Sequence, residues 1–300
     1  EISCSLVGSE MCIRDRKRWD CRECGMNFDT IVTQLQFTAC IEKALLKEFA
    51  YHQREIELRS LTAYKGENFD FELCSQRPAM RLAVVIYLLC EQYKKYQKIG
   101  VPENMIWDTF RDVALRAELY FQKIGEVGLD QDDVVWFRHI METEIFQIGS
   151  LQFQPFEMMY VEEPMDGFDF IYIENAKEML PPGSRVLNCH IPRGADLSRE
   201  NVEISIQSAK QFFSEIFPDA GFRAILCYSW LLYPDMIRHL PADSRIRQFA
   251  DPFYVIGTCH YAEQAMENLF GKQGTLKTSL QRMALAHQER FGFACGIILL

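Results

Sequence analysis

The sequence predicts an α+β chain, with a helical N-terminal domain over residues 31–148 and a mixed α/β domain over residues 149–300. Three observations predict it. Apolar residues recur at helical spacing through the first half. At Ile148 that period gives way to short apolar runs parted by turns such as PMDG and PPGS. Within the second half, residues 186–249 read as strand, sharp loop, amphipathic helix, strand and helix. In such a βαβα unit the mouth of the first strand is a common ligand position.

Taken in order, Phe37, Ile41, Ala44, Leu45 and Phe49 mark the apolar stripe of a first helix. The loop at 65–70 separates it from a helix over 78–99, and GVPEN stops and restarts the chain. Ile106, Phe110, Val113, Ala117, Tyr120 and Ile124 define a third helix. Asp130 and Asp133 open a fourth, where carboxylates satisfy free N–H groups and favour the helix dipole. LQFQPFEMMYV, FDFIYIE and RVLNCHI predict three strands, the first with the partial alternation of a half-exposed antiparallel strand. The next helix buries Val202, Ile206, Ala209, Phe213 and Ile216. A strand over 224–233, a helix from Asp235, a strand over 252–258, helices over 260–270 and 276–290, and a strand over 293–300 complete the order. His287 falls on the apolar face of its helix. The boundary is a change of period without a linker, so the two halves are expected to pack together.

Composition narrows the function. A chain of 300 residues that is 48% hydrophobic can build a sizeable core. A net charge of −10 argues against nucleic acid and anionic membrane surfaces as partners. The longest apolar run, 82–90, is too short to span a bilayer. The cysteines form no framework, and Cys90, Cys189 and Cys227 sit inside apolar runs, as free thiols do in a reducing cytoplasm. Residues 1–16, EISCSLVGSEMCIRDR, resemble a translated sequencing adapter and are excluded from the fold as non-native. Cys21 and Cys24 form half a zinc site with no second pair, so no metal is expected.

Four blocks carry a family resemblance: FQIGSLQF (146–153), HIPRGADLSRENVEISIQSAKQFF (190–213), CYSWLL (227–232) and SRIRQF (244–249). They resemble a bacterial acyltransferase-like family whose C-terminal domain has the GNAT (GCN5-related N-acetyltransferase) fold. The helical half resembles that family's N-terminal domain, and the likeness covers residues 31–300. It implies a central strand that splays from its neighbour, so that the pantetheine of an acyl-CoA enters the gap. The pyrophosphate would meet N–H groups at the start of the following helix, an ordinary anion site. In this chain the strand is 186–191, the loop 192–197, and the helix starts from Ser198 as N-cap. The resemblance thus implies Cys189, Ile191, Arg193, Gly194 and Ser198 as binding acetyl-CoA or another acyl-CoA. The loop departs from the family's pattern. It has one glycine, and Asp196, Glu200 and Glu203 place negative charge where a phosphate would rest.

His190 ends the central strand, where it, or a water it orders, would take the proton of an attacking amine. The plainer alternative is a strand-end histidine bonded locally. Tyr228, on the neighbouring strand, is the position implied for the acid that protonates the leaving thiolate. Arg193 fits a phosphate or a surface turn, and Gly194 a positive-φ turn. Cys227 with His190 also allows a Cys–His hydrolase, against a buried strand cysteine. Trp107 and Trp136 read as core, and His139 as isolated. The expected function is an acyl-CoA-dependent N-acyltransferase acting on a small-molecule or other amino group. The alternative is a non-catalytic GNAT-like binding module. Strands 186–191 and 224–233 parting into an open V favour the enzyme, and closed pairing favours the module.

Overall fold

A computed structural model describes residues 26–161, 169–270 and 278–300. The adapter-like segment and the Cys21–Cys24 pair lie outside the described residues. The helical half comprises α1 (Phe28–Leu35), α2 (Ala39–Ser60), a small hairpin of β1 (Gly66–Glu67) and β2 (Asp70–Phe71), then α3 (Pro78–Lys98), α4 (Glu103–Ile124) and α5 (Gln131–Met141). Local chemistry sets these ends. Pro78 opens α3 at a position whose N–H has no helical partner. Gly125, at φ 82°, closes α4. Asp130 and Asp133 form the reciprocal cap that starts α5, as the sequence predicts. Helix α1 precedes the first expected helix, with Asn27 accepting the Thr30 N–H at 2.9 Å.

The second half comprises β3 (Phe146–Ile148), β4 (Leu151–Glu157), β5 (Ile171–Tyr172), α6 (Ala176–Met179), β6 (Arg185–His190), α7 (Arg199–Ile216), β7 (Ala224–Ser229), α8 (Pro234–Arg238), α9 (Arg245–Ala250), β8 (Tyr254–Cys259), α10 (Glu263–Phe270), α11 (Ser279–Ala286) and β9 (Phe293–Leu299). The strands form one seven-stranded sheet in the order β3-β4-β6-β7-β9-β8-β5. Among the described residues only β6 and β7 run parallel; every other neighbouring pair is antiparallel. The sheet begins at Phe146, so the change expected at 148 falls inside a hairpin whose turn is made by Gly149, at φ 62°. The strand expected over 224–233 stops at Ser229, whose hydroxyl accepts the Leu231 N–H at 3.1 Å and turns the chain out of the sheet. His287 is no core residue: it follows α11 with a side chain 43% exposed, beside Glu289.

One apolar core joins the halves, as expected. Phe146 is fully buried between Tyr96 of α3 and Phe212, Phe213 and Phe217 around α7. Burying such a ring contributes roughly 2–3 kcal/mol. Polar ties fix the register of this contact. The Tyr96 hydroxyl donates to the Ile145 carbonyl at 2.9 Å, and the Gln147 N–H to Thr109 Oγ1 at 2.9 Å. Alternation along the central strands then sorts the faces. Leu187, Cys189, Ile225 and Cys227 belong to this main core. Val186, Ala224, Leu226 and Cys295 belong to a second, smaller core on the opposite face. No helix among the described residues is long and apolar enough to cross a membrane.

Candidate active site

The central strands part halfway along. β6 pairs with β7 at Val186–Ala224, Leu187–Ile225 and Asn188–Leu226, and there the ladder stops. Yet β6 stays paired with β4 through His190, and β7 with β9 through Ser229. The facing edges of Cys189–His190 and Cys227–Ser229 therefore carry no ladder bonds to each other, although the Cys189 and Cys227 side chains still meet. Continuing the register sets Cys189 opposite Cys227 on the α7 face, and His190 opposite Tyr228 on the other.

His190 sits in this mouth against a wall supplied by the helical half. Its Nε2 lies 3.0 Å from Gln154 Oε1 and 3.2 Å from Asn188 Nδ2. The ring meets Trp136 edge to face at 5.0 Å. Burial, with added repulsion from His139 and Arg116, pushes its pKa down to about 3. The ring is neutral throughout the physiological range. Gln154, 7% exposed, reaches on to His139 Nδ1 at 3.0 Å, and His139, 3% exposed, lies 3.6 Å from Glu144. Trp136 is anchored from behind by its own N–H donated to Asp112 at 2.8 Å, and Asp112 and Asp133 hold Arg116 at 3.4 and 3.0 Å. Trp136 is core, as read from sequence, and also touches His190; His139, read as isolated, is joined to His190 through Gln154. No local signal marks them, because α5 meets β4 and β6 only in the fold.

Tyr228 occupies the far side of the mouth. Its hydroxyl donates to the Met159 carbonyl at 3.1 Å, and Phe170 packs edge-on at 5.8 Å. Burial, with Cys295 and Tyr172 nearby, holds the phenol well above its usual range, so it keeps its proton. Cys227 faces away from His190. A hydrogen bond with Cys189 and burial raise its thiol well above the usual range. That geometry and protonation state rule out the Cys–His hydrolase reading.

The loop after β6 turns at Pro192–Ala195, where the Ala195 N–H meets the Pro192 carbonyl at 3.1 Å. Gly194 adopts φ 82°, the left-handed position such a turn requires. Arg193 is exposed at the corner. Ser198 has the extended backbone of an N-cap, but its hydroxyl faces Asn201 Nδ2 at 3.1 Å and accepts no helix N–H. Just ahead of α7 the chain is held by Asp196, while the first helical N–H, that of Arg199, is donated to Gln248 at 3.2 Å. The Asp196 carboxylate accepts the Ser198 N–H at 3.0 Å and the Asn201 amide at 2.8 Å, with Arg245 at 3.3 Å. The Ser198 N–H above all holds that carboxyl below its usual range. Among the described residues, His139, Glu142 and Glu144 are the group whose ligand atoms come within 4.8 Å of one another. His139 Nδ1 is already engaged by Gln154 and Glu144. Burial and the neighbouring Glu144 push Glu142 up to about 7.

The family model described as a GNAT-like C-terminal domain matches residues 145–296, just over half the chain. The chain belongs to this family. The model for an N-acyltransferase N-terminal domain matches residues 31–143 of the same GNAT-like chain, so the helical half is that domain. No curated protein matches. Among solved structures, an acyltransferase in complex with decanoyl-CoA and teicoplanin is similar at a TM-score of 0.69 and 17% identity, over 90% of this chain and 87% of the other. An acyltransferase in complex with decanoyl-CoA aligns at a TM-score of 0.66 and 19% identity, over 90% and 86%. An acyltransferase with CoA and 10C-teicoplanin aligns at 0.65 and 16%, over 90% and 87%. At such identities the likeness is one of fold.

Proposed function

We propose that this GNAT-like chain transfers an acyl group from a medium-chain acyl-CoA to the amine of a small-molecule acceptor. The observation that carries the reading is the early end of the β6–β7 ladder at Asn188–Leu226, which leaves the edges beyond it free for a ligand. Family membership and the acyl-CoA held by similarly folded acyltransferases support it. The pantetheine would lie along the open edges, with backbone N–H groups of Asn188–Ile191 at the thioester. Attack by the amine forms the C–N bond, and collapse of the tetrahedral intermediate breaks the C–S bond. Amide and CoA thiol leave. Holding both reactants in line, and meeting the oxyanion with fixed donors, supply most of the acceleration. Tyr228, protonated and beside the gap, would give its proton to the thiolate once its hydroxyl leaves the Met159 carbonyl. The amine's proton passes to solvent water. Arg193, Gly194 and the first turn of α7 from Ser198 would receive the pyrophosphate. The free buried cysteines fit a reducing cytoplasm.

A second reading, a GNAT-like module that binds without turnover, is favoured by one observation: Asp196 sits just ahead of α7, where a phosphate would rest. The two separate on addition of decanoyl-CoA. Binding to the native state raises the melting temperature by mass action, and an enzyme also releases CoA thiol in the presence of a panel of primary amines. A thermal shift without thiol release would leave the module. No shift at millimolar decanoyl-CoA or CoA would overturn acyl-CoA binding.

A further inference from the structure

We infer that His190 acts as a neutral hydrogen-bond donor through Nδ1–H, and that Gln154 is the positioning residue that sets this tautomer. The role rests on the acyl-transfer reading above, whereas the tautomer does not. Four polar contacts meet here: Asn188 Nδ2 with His190 Nε2 at 3.2 Å, Gln154 with His190 Nε2 at 3.0 Å, Gln154 with His139 Nδ1 at 3.0 Å, and His139 Nδ1 with Glu144 at 3.6 Å. A neutral imidazole nitrogen either donates or accepts, and the orientation of a glutamine amide follows from its network.

With Gln154 Oε1 toward His190, Nε2 of His190 must donate. The Asn188 N–H then faces another N–H, and the Glu144 carboxylate faces the lone pair of His139 Nδ1. Both contacts repel. Turning Asn188 over relieves the first and leaves the second. Turning Gln154 over satisfies all four: His139 Nδ1–H donates to the Gln154 oxygen and to Glu144, while the Gln154 and Asn188 amides both donate to His190 Nε2. The proton of His190 is then on Nδ1. Among the described residues no hydrogen bond uses this nitrogen, and His190 as a residue is only partly buried. Trp136 adds no competing donor, since its N–H is committed to Asp112. Arg116, behind Trp136, and Tyr228, across the mouth with its hydroxyl on the Met159 carbonyl, complete the charged and titratable surroundings.

A nitrogen lone pair tied by two amides, one of them buried, is a poor proton acceptor. A neutral Nδ1–H fixed in a low-dielectric mouth is a good donor to a developing oxyanion, and it needs no reorganisation when that charge forms. This role also accounts for why a strand-end histidine is held so firmly neutral.

Two-dimensional ¹⁵N–¹H spectra of the full chain at neutral pH test the inference, with the His190 ring assigned by its loss in His190→Asn. The expected spectrum shows protonated Nδ1 and bare Nε2. Gln154→Glu, which puts a carboxylate against Nε2, should reverse the tautomer, and Gln154→Leu should leave a mixture. Saturating decanoyl-CoA should move the Nδ1 proton downfield. A wild-type Nε2–H tautomer overturns the inference, as does an unchanged tautomer in Gln154→Glu. An Nδ1 proton unmoved by decanoyl-CoA that does raise the melting temperature overturns the donor role. If decanoyl-CoA fails to bind at all, the acyl-CoA reading falls and the donor role with it, while the tautomer is still decided by the ligand-free spectrum.

Discussion

The two ends of the candidate site are built differently. At the reaction end, His190 is fixed by Asn188, Gln154 and Trp136, and those partners are held in turn by His139, Asp112 and Arg116. At the phosphate end, an exposed arginine and a single glycine stand beside a carboxylate that accepts the N–H of Ser198, just ahead of the helix. The contrast separates two kinds of precision. Burial and a closed polar network hold a reacting group in one state, at a cost in folding that the core must offset. An exposed anion site is held loosely and set by charge balance, so it can tune affinity without disturbing the chemistry.

The contrast breaks most easily at the reaction end. His190→Ala should lower turnover about 10²- to 10³-fold, the usual loss for one oxyanion donor. His190→Asn, which keeps an N–H near the Nδ1 position, should lose no more than about tenfold, because it retains that donor. Steady-state thiol release from decanoyl-CoA measures both, and equal losses would favour a base. Asp112→Ala should cost about 3 kcal/mol in denaturant unfolding, because Arg116 and the Trp136 N–H lose a buried partner. A loss under about 1 kcal/mol would place the wall in surface-pair territory.

The pH dependence is smaller and has a definite sign. Folding moves His190 from about 6.5 to about 3. Below pH 6.5 the unfolded chain binds a proton that the folded chain refuses. Stability is therefore full above that pH and falls as pH drops toward 3, by at most about 1.4 kcal/mol per pH unit from this residue. His190→Asn should flatten that slope in unfolding curves taken between pH 6.5 and pH 4. The smallest effects belong to the phosphate end. Asp196→Asn should tighten CoA a few-fold and Arg193→Ala weaken it a few-fold, both fading with added salt. Isothermal titration at two salt concentrations checks this. Salt-independent changes would point to rearrangement of the loop instead of charge.

Much of the fold was legible. Helix α3 begins at the proline and α5 at the two aspartates that announce them, because capping is local chemistry. The parallel pair β6–β7 with α7 between was readable from one apolar run, one turn and one amphipathic stripe. The sheet's true start at Phe146 was not, since three residues beside a glycine turn carry no periodicity. The mouth itself was only half legible. His190, Gly194 and Tyr228 stand at the strand end, turn and neighbouring strand where the sequence set them. The part of Gln154, Trp136 and His139 was not legible, because their relation to His190 is created by the register Gln154–Asn188 and by the docking of α5, neither of which leaves a spacing in the sequence. The acids near α7 were visible as charges. That Asp196 alone turns inward onto the Ser198 N–H depends on the loop's backbone.

Peptide-resolved hydrogen exchange with and without decanoyl-CoA tests most directly whether the ligand enters between the parted strands. Binding should slow exchange in the segments 189–191 and 227–229, whose facing edges have no ladder partner, with lesser protection at 193–200. Protection that leaves 189–191 and 227–229 unchanged while decanoyl-CoA is bound would place the ligand elsewhere and contradict the site.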